Sequence, residues 1–387
     1  MLLRLFLILF SSLLVFGCAP TTEIVKEKTP EKKEVAISKE TYFSDEADAK
    51  TIFKQAKDYY DQKNFEVAAL GYEKAAEKEL VVAQNNLGVM YYEGQGIPQD
   101  FTQAAYWFRK AAKQGLADAQ YNLGQMYYNG QGVNRDFDQA LQWYKKAAEQ
   151  GDAKALYRLG RMSHEGKGLK PDLAQALQWY RQAAAKGDAQ AKFRLGQMHY
   201  EGQGVTRDLG QAKQWFYQAA EQQDAQAQYH LGLMYYQGEG FAQDFTQAEQ
   251  WFRQAAKQGY AKAQSGLGQL YYEGKGVEKH LTKAVYWSRQ AAEQGLADAQ
   301  NNLGMMYYKG EGVPQDLSLS YQWVSLAAAQ GNQEAIKGRQ FLINKLSVEQ
   351  LAKGERLVRE WYKKHRNYLL EISRQKPEED EKQNQKK

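Results

Sequence analysis

Residues 117–151 read ADAQYNLGQMYYNGQGVNRDFDQALQWYKKAAEQG, and close copies of this segment recur along most of the chain. Each copy carries a tryptophan, and successive tryptophans stand 36 residues apart without an insertion, at Trp107, Trp143, Trp179, Trp215, Trp251, Trp287 and Trp323. A fixed period of this length is typical of a solenoid, in which each unit buries its apolar side only by packing against the next. The sequence therefore predicts a linear stack of identical units.

Apolar spacing predicts two helices in each copy. The first carries an internal glycine, Gly124 in this copy, although glycine costs about 1 kcal/mol relative to alanine in a helix interior. We expect close approach of the second helix to offset this cost, with the alanine pair Ala147-Ala148 as the facing surface. The apolar stripe that includes Trp143 and Ala147 is expected to bury the indole.

The loop between the two helices carries glycines and an aspartate at fixed positions. Gly130 and Gly132 are expected to end the first helix with positive φ, and Asp136 stands where it can cap the free amides of the second. One copy has His280 in place of the aspartate, and another has Gln223 in place of the glycine that closes the second helix. These two departures predict the weakest local caps in the array.

The regions that flank the repeats differ in pattern. Ser347 and Gln350 have the spacing of a capping box at the start of a last helix. The predicted organisation is a signal peptide at 1–17, a lipidated N-terminus and disordered tether at 18–45, an N-terminal capping hairpin at 46–80, seven repeats at 81–331, C-terminal capping helices at 332–372 and a disordered tail at 373–387.

The first residues, MLLRLFLILFSSLLVFGC, form an apolar run too short for a comfortable membrane span, as in a secretory signal. Val15-Phe16-Gly17-Cys18 resembles the lipobox of bacterial lipoproteins, which implies acylation of Cys18 and anchorage by its acyl chains. Ala19 resembles the residue of the outer-membrane class, which implies a location facing the periplasm. An ordinary signal peptide with a chance cysteine, or an uncleaved N-terminal anchor, remains an alternative.

The whole repeat pattern, A-x-A-x-x-x-L-G-x-M-Y-x-x-G-x-G-V-x-x-D-x-x-x-A-x-x-W-Y-x-x-A-A-x-x-G, resembles the Sel-one-like repeats, which are related to tetratricopeptide repeats. The resemblance implies an all-α fold, a right-handed superhelical α/α solenoid of tandem hairpins, and a role as an adaptor or assembly platform. A cysteine-rich branch of the family binds or hydrolyses β-lactam-like molecules. This chain departs from that branch because no repeat contains cysteine.

Resemblance to tetratricopeptide arrays also implies a concave face lined by the first helices. Its partner-binding candidates are Tyr121, Gln125, Tyr157, Arg161, Phe193, Gln197 and Tyr229, with Leu233 in the same rows. Two further rows are Tyr128, His164, Tyr200 and Tyr236, and Asn129, Glu165, Glu201 and Gln237. Aromatic side chains at such positions can serve as rigid anchors for a peptide. The alternative is that these tyrosines only pack between adjacent hairpins.

Other chemistry has little support in the sequence. A formal charge of +5 on 387 residues, without a basic cluster, gives no indication of nucleic-acid binding. His164 and His199 could come together across neighbouring repeats, but a third metal ligand is missing, so no metal and no cofactor is predicted. No nucleophile motif or phosphate-binding loop stands out, and the protein is not expected to be an enzyme.

Three hypotheses follow. The first is a membrane-anchored scaffold of the bacterial cell envelope that binds a segment of a partner protein in the concave groove. The second is a module that binds peptidoglycan or another glycan through the same aromatic side chains. The third is a hydrolase acting on the cell wall or on β-lactams, which has no catalytic constellation behind it.

Overall fold

The computed structural model describes residues 42–365, and all regular structure within this range is helical. The predicted signal peptide, the acylated Cys18 and the tail at 373–387 lie outside the described residues. Eighteen helices form here, and we number the repeats 1 to 7 from residue 81, with 36 residues in each.

Two helices, α1 (Ala49–Asp61) and α2 (Phe65–Glu77), form a hairpin before the repeats. The repeats are the pairs α3 (Val81–Glu93) and α4 (Phe101–Lys113), α5 (Ala117–Asn129) and α6 (Phe137–Glu149), α7 (Ala153–Glu165) and α8 (Leu173–Ala185), α9 (Ala189–Glu201) and α10 (Leu209–Ala220), α11 (Ala225–Gln237) and α12 (Phe245–Lys257), α13 (Ala261–Glu273) and α14 (Leu281–Glu293), and α15 (Ala297–Lys309) and α16 (Leu317–Ala329). Two helices follow, α17 (Gln333–Lys345) and α18 (Val348–Lys364).

Consecutive hairpins pack in tandem. Each second helix lies against the first helix of its own hairpin and against the first helix of the next, as α4 does with α3 and α5. The core is accordingly a chain of small clusters that link neighbouring units rather than one central cluster. The prediction of an all-α solenoid of tandem hairpins is confirmed.

The predicted start and stop signals are also confirmed. Gly130 ends α5 in the left-handed region at φ 71°. The Asp136 carboxylate accepts a hydrogen bond of 2.9 Å from the backbone N–H of Gln139 and so caps α6. The backbone N–H of Asp136 donates to the carbonyl of Tyr127, which folds the loop back onto the first helix.

The two departures from the repeat pattern change their helix ends, but they are not the weakest caps, because the first helices that begin after Leu80, Leu116, Tyr260 and Leu296 have no side-chain N-cap. His280 caps α14 only through a long contact, 3.4 Å from the backbone N–H of Lys283 to Nδ1. Gln223 adopts φ 65°, a left-handed conformation that suits glycine and strains a residue with a side chain. The helix before it, α10, ends one residue earlier than the other repeat helices.

The partner of the repeat glycine differs from the prediction. A Cβ placed on Gly124 would lie 2.8 Å from the Tyr144 ring, whereas the alanine pair is not among its nearest neighbours. In repeats 1 to 5 a phenylalanine or tyrosine ring meets this glycine at 2.5–2.8 Å. The glycine therefore makes room for a ring of its own hairpin, and the predicted contact with Ala147-Ala148 is wrong.

The tryptophans are less buried than predicted. Trp143, Trp179, Trp215, Trp251 and Trp287 are only partly buried, while Trp107 and Trp323 at the ends are buried. In repeats 2 and 3 the fully buried ring is the next residue, Tyr144 and Tyr180. The stripe of the second helix faces inward one residue later than expected, so the indole lies at the edge of the interface between units.

A row of glutamines that the sequence analysis missed joins the units. Gln120 donates to the carbonyl of Ala112, and Gln150 donates to the Gln120 side chain at 2.8 Å. The same side-chain pair, 30 residues apart, recurs in repeats 1, 2, 5, 6 and 7. Repeats 3 and 4 have Leu156 and Lys192 at the buried position instead. Buried amides that satisfy each other fix the register of stacked units.

The N-terminal hairpin is extended by residues that the sequence analysis placed in the tether. Phe43 is 1% exposed and packs with α1 and α2. The ammonium group of Lys74 donates to the Phe43 carbonyl at 2.6 Å and pairs with Asp45. The ordered part of the chain therefore begins before residue 46, because an aromatic residue and a buried lysine hold this segment.

The C-terminal end is covered by α18, which packs on α16. Its predicted capping box is confirmed, since Ser347 and Gln350 make both reciprocal hydrogen bonds. The Ser318 hydroxyl donates to the Gln350 carbonyl at 2.9 Å, and Trp361 is buried. Such a cover protects the last hairpin from water, as solenoids require.

Candidate functional site

The candidate surface is formed by the first helices of the repeats. We call first-helix face the side chains that lie three and two residues before and one, four and five residues after each repeat glycine. Neighbouring helices touch across this face: Asn122 donates to Asn85 at 3.1 Å, and Tyr128 donates to Glu165 at 3.2 Å. The face is therefore continuous from one repeat to the next.

The predicted aromatic ladder is buried in the middle of this face, whereas Tyr121 and Tyr229 at its two ends are partly exposed. Tyr157 is 7% exposed and Phe193 is 5% exposed. Each ladder ring packs on the buried ring of its own hairpin, with centroids 5.6–5.8 Å apart, in the pairs Tyr121–Tyr144, Tyr157–Tyr180, Phe193–Phe216 and Tyr229–Phe252. Little of either ring is accessible, which favours the alternative in which Tyr157 and Phe193 pack between adjacent hairpins.

The row four residues after the glycine ties the hairpins together. The hydroxyls of Tyr92, Tyr200 and Tyr272 donate to the side chains of residues 39 positions later, in the loop of the next repeat. Burial and the neighbouring Glu239 raise the pKa of Tyr200 to about 12. These bonds favour the alternative in which this row packs between hairpins.

The polar candidates in the middle of the face are engaged within the chain. Arg161 donates to Glu165 at 2.7 Å, and Lys167 lies 2.9 Å from the same carboxylate. Burial alone would raise the pKa of Glu165, but the hydrogen bonds and charges of Lys167 and Arg161 outweigh it and lower that pKa to about 2. Gln197 accepts from Arg194 at 2.8 Å. The centre of the face is thus closed by its own contacts.

The C-terminal third of the face is open instead. One cavity of about 310 Å³ lies between repeats 5 and 6, with Tyr229, Leu233, Tyr236, Phe252 and Gly266 among its lining residues. A second of about 330 Å³ lies between repeats 6 and 7, with Ser288, Asn301, Met305, Glu311 and Glu334 in its wall. Gln269 and Asn302 line both cavities, so they form one groove.

Small residues account for these cavities. The ring pair that fills repeats 2 to 5 is replaced by Ser265 and Ser288 in repeat 6 and by Asn301 and Val324 in repeat 7. Gly266 also stands where repeats 3 and 4 have arginine. The end of the ladder at Ser265 and Asn301 is visible in the sequence, but the predicted binding residues lie among the rings. The absence of the ring pair from repeats 6 and 7 is the feature of the sequence that indicates the cavities.

The histidines do not form a metal site in the described part of the chain. His164 belongs to the row four residues after the glycine, whereas His199 is buried and next to Arg181. Burial and the Arg181 charge lower the pKa of His199. Across residues 42–365, no cluster of three or more histidine, cysteine, aspartate or glutamate side chains is placed to hold a metal ion.

None of the helices between residues 42 and 365 combines the length and the apolar character that a membrane span needs.

Comparison with known proteins identifies the repeat. The family model for the Sel1 repeat matches seven tandem segments, at 81–116, 117–152, 153–188, 189–224, 225–260, 261–296 and 297–332. The matches follow one another without a gap. No curated protein matches the chain significantly.

Two solved structures are similar to this chain. One is c5321, a protective antigen present in uropathogenic Escherichia coli strains with an SLR fold, at 30% identity and a TM-score of 0.51, covering 85% of this chain and 87% of its own. The other is a Sel1 repeat protein from Oxalobacter formigenes, at 34% identity and a TM-score of 0.60, covering 62% of this chain and 98% of its own. The chain belongs to the Sel1 repeat family.

Proposed function

We propose that this protein is a lipid-anchored scaffold of the bacterial cell envelope, without enzymatic activity, that binds a segment of a partner protein on its first-helix face. Sel1 repeats generally mediate protein–protein interaction. The single observation that carries the proposal is the groove along repeats 5 to 7, on a face that its own side chains close elsewhere.

The groove suits a polypeptide. Its two cavities, of about 310 and 330 Å³, are each large enough for a bulky side chain and follow one another along the face. Amide side chains, Gln269 and Asn302, lie between them and can address a peptide backbone. Glycan stacking needs exposed ring faces, and Tyr157 and Phe193, two of the four ladder rings, are largely covered.

Envelope anchorage rests on the sequence. Cys18 follows an apolar run and is the only cysteine of the chain, so no disulfide role competes for its thiol. We propose that acyl chains on Cys18 hold the protein in the outer membrane, facing the periplasm. Metabolic labelling with an alkyne-tagged fatty acid, compared between the full chain and Cys18→Ala, tests this step: label that persists in the variant would exclude it.

The binding role is tested by affinity purification of the full-length protein from detergent-solubilised envelopes. Met305 is 39% exposed on the groove rim, and the matched control is Val348, 87% exposed on α18 away from the groove. We expect Met305→Arg to lose the partner that Val348→Arg retains, because a bulky charge blocks the groove. Equal recovery by both variants would contradict the proposal, and retention on purified cell-wall sacculi in place of a protein would favour a glycan.

A further inference from the structure

We propose that the groove of repeats 5 to 7 selects an extended partner segment that carries an aromatic or large aliphatic residue and, within a few positions of it, a lysine or arginine. The apolar residue enters the cavity between repeats 5 and 6, which we call the apolar socket. The basic residue enters the cavity between repeats 6 and 7, which we call the acidic socket. This inference rests on the proposed function and adds the chemistry of the partner.

The apolar socket has an aromatic floor and aromatic walls. Phe252 is 3% exposed and stacks on Tyr229 with centroids 5.6 Å apart and planes 28° apart. A Cβ on Gly266 would lie 3.0 Å from the Phe252 ring, so the glycine packs directly on that buried ring. Leu233 and Leu296 add apolar lining, and Lys262 and Asp298 lie at the same cavity. A flat or branched apolar side chain gains most from such surroundings.

The acidic socket has an excess of carboxylates. Glu273, Glu311, Glu334 and Asp298 line it and the shallow cavity beside it, with Lys309 as the only basic residue among the lining residues of the two. Glu273 and Glu311 are paired with Lys275 and Lys309. Glu334 has no ion pair within residues 42–365, so it and Asp298 supply the free negative charge. Opposite charge on the partner is the complementary choice.

Two unused amides lie beside the acidic socket. Asn301 is 7% exposed, and neither it nor Asn302 makes a side-chain hydrogen bond within the described range. The equivalent asparagine of repeat 1, Asn85, accepts from Asn122 of the next unit. Gly338 stands at the position corresponding to Asn122 and offers no such partner to Asn301. The amide groups of Asn301 and Asn302 can therefore donate to and accept from a peptide backbone.

The centre of the face has the opposite charge. Arg158 and Arg194 lie at the position that Gly266 occupies in repeat 6, and neither forms an ion pair with a carboxylate within residues 42–365. A segment bound in the opposite orientation would place its basic residue toward Arg158 and Arg194. Repulsion between like charges disfavours that orientation. The charge difference along the face gives the bound segment a polarity.

A random peptide library displayed on phage, selected on the purified protein, tests the inference. We expect the selected peptides to share the apolar and basic pair. The affinity of one synthetic selected peptide is then measured for Gly266→Arg, which fills the apolar socket with the side chain that repeats 3 and 4 carry, and for Glu334→Lys. We expect losses of about tenfold or more and about threefold or more, respectively.

Matched controls place the same changes in repeat 2. Asn122→Arg and Asp118→Lys occupy the equivalent rows and should leave the affinity unchanged. Melting temperatures show whether each variant folds, and Leu233→Arg blocks the apolar socket from a second position if Gly266→Arg does not fold. Selected peptides that bind the socket variants as tightly as the unmodified protein would overturn this inference but leave the proposed function. Failure to select any peptide would overturn both.

Discussion

Repeats 2 to 5 and repeats 6 to 7 share one backbone period but differ in what fills each hairpin. In the first group, a ladder ring packs on a buried ring next to the repeat glycine, as Tyr157 does on Tyr180. In the second group, serine, asparagine and valine occupy these positions, and cavities open. The difference teaches that the glycines and aspartates set the fold, while the residues between them decide whether the surface is sealed or available.

The largest effect is expected from removing a buried ring in the sealed region. Tyr180 is 1% exposed and its neighbour Trp179 is only partly buried. Tyr180→Ala should cost about 3–5 kcal/mol of local stability, and Trp179→Ala about 1–2 kcal/mol. Because a solenoid unfolds by neighbouring units, hydrogen exchange of α7 and α8 is measured beside the denaturation midpoint. A larger loss for Trp179→Ala would show that the second helix faces the other way.

A second effect is expected within repeats 2 to 5, where His230 of repeat 5 stacks on Phe216 of repeat 4 with ring centroids 5.1 Å apart. Burial, with a smaller contribution from Lys262, lowers the pKa of His230 to about 4. The unfolded chain takes up this proton near pH 6.5 and the folded chain only near pH 4, so stability present above pH 6.5 is lost as the pH falls through that window. His230→Phe should remove about 1–3 kcal/mol of this loss.

The measurement for His230 is the denaturation midpoint of both proteins from pH 7 to pH 4. The histidine predicts that the two curves diverge as the pH falls. Parallel curves would mean that the ring is protonated as easily in the folded protein as in the unfolded chain. His280→Phe in the loop of repeat 6 is the matched control, since that residue is exposed.

A third effect depends on the space beside a helical glycine, which is small at Gly160 in repeat 3 and larger at Gly338, after the last repeat. A Cβ on Gly160 would lie 2.6 Å from the Tyr180 ring, whereas one on Gly338 in α17 would meet only Val324 at 3.4 Å. Gly160→Ala should cost about 1–3 kcal/mol by overpacking. Gly338→Ala should stabilise by about 0.5–1 kcal/mol through helix propensity. Thermal unfolding of both variants checks the sign, and a stabilising Gly160→Ala would refute the ring contact.

The smallest effect is expected at Gln223, which occupies φ 65° where six repeats have glycine. Gln223→Gly should stabilise repeat 4 by about 0.5–1 kcal/mol because it relieves the left-handed strain. Gln222→Gly, one residue earlier, is the control and should not stabilise. Melting temperatures of the two variants suffice for the test, and the cap assignment fails if their order is reversed.

Much of the fold was predictable from sequence because the same pattern of helix and loop residues recurs in seven copies. The period, the caps at Asp136 and Gly130 and the last capping box all depend on short-range chemistry. The orientation of the second helix could not be predicted from the sequence, because Trp143 and Tyr144 are adjacent and both are aromatic. One residue of rotation, about 100° on a helix, decides which of the two is buried, and packing against Gly124 makes that choice.

The candidate site was predictable in its face but not in its place along the array. Aromatic side chains such as Phe193 and Tyr157 look the same in sequence whether they lie on a surface or beneath it. Only the ring–ring contact with the second helix shows that they are covered. The open groove follows from residues that are absent from the repeat pattern, Ser265 and Ser288, and their effect depends on what surrounds them.

The most direct test of the central claim is site-specific photo-crosslinking of the full-length protein in cells. A photoreactive phenylalanine analogue is placed at Met305 on the groove rim, at Gln125 on the sealed part of the same face, and at Gln178 on the exposed surface of α8. The claim that the groove of repeats 5 to 7 holds the partner predicts a protein adduct from position 305 and none from positions 125 and 178. Adducts from position 125 or 178 without one from position 305 would contradict it.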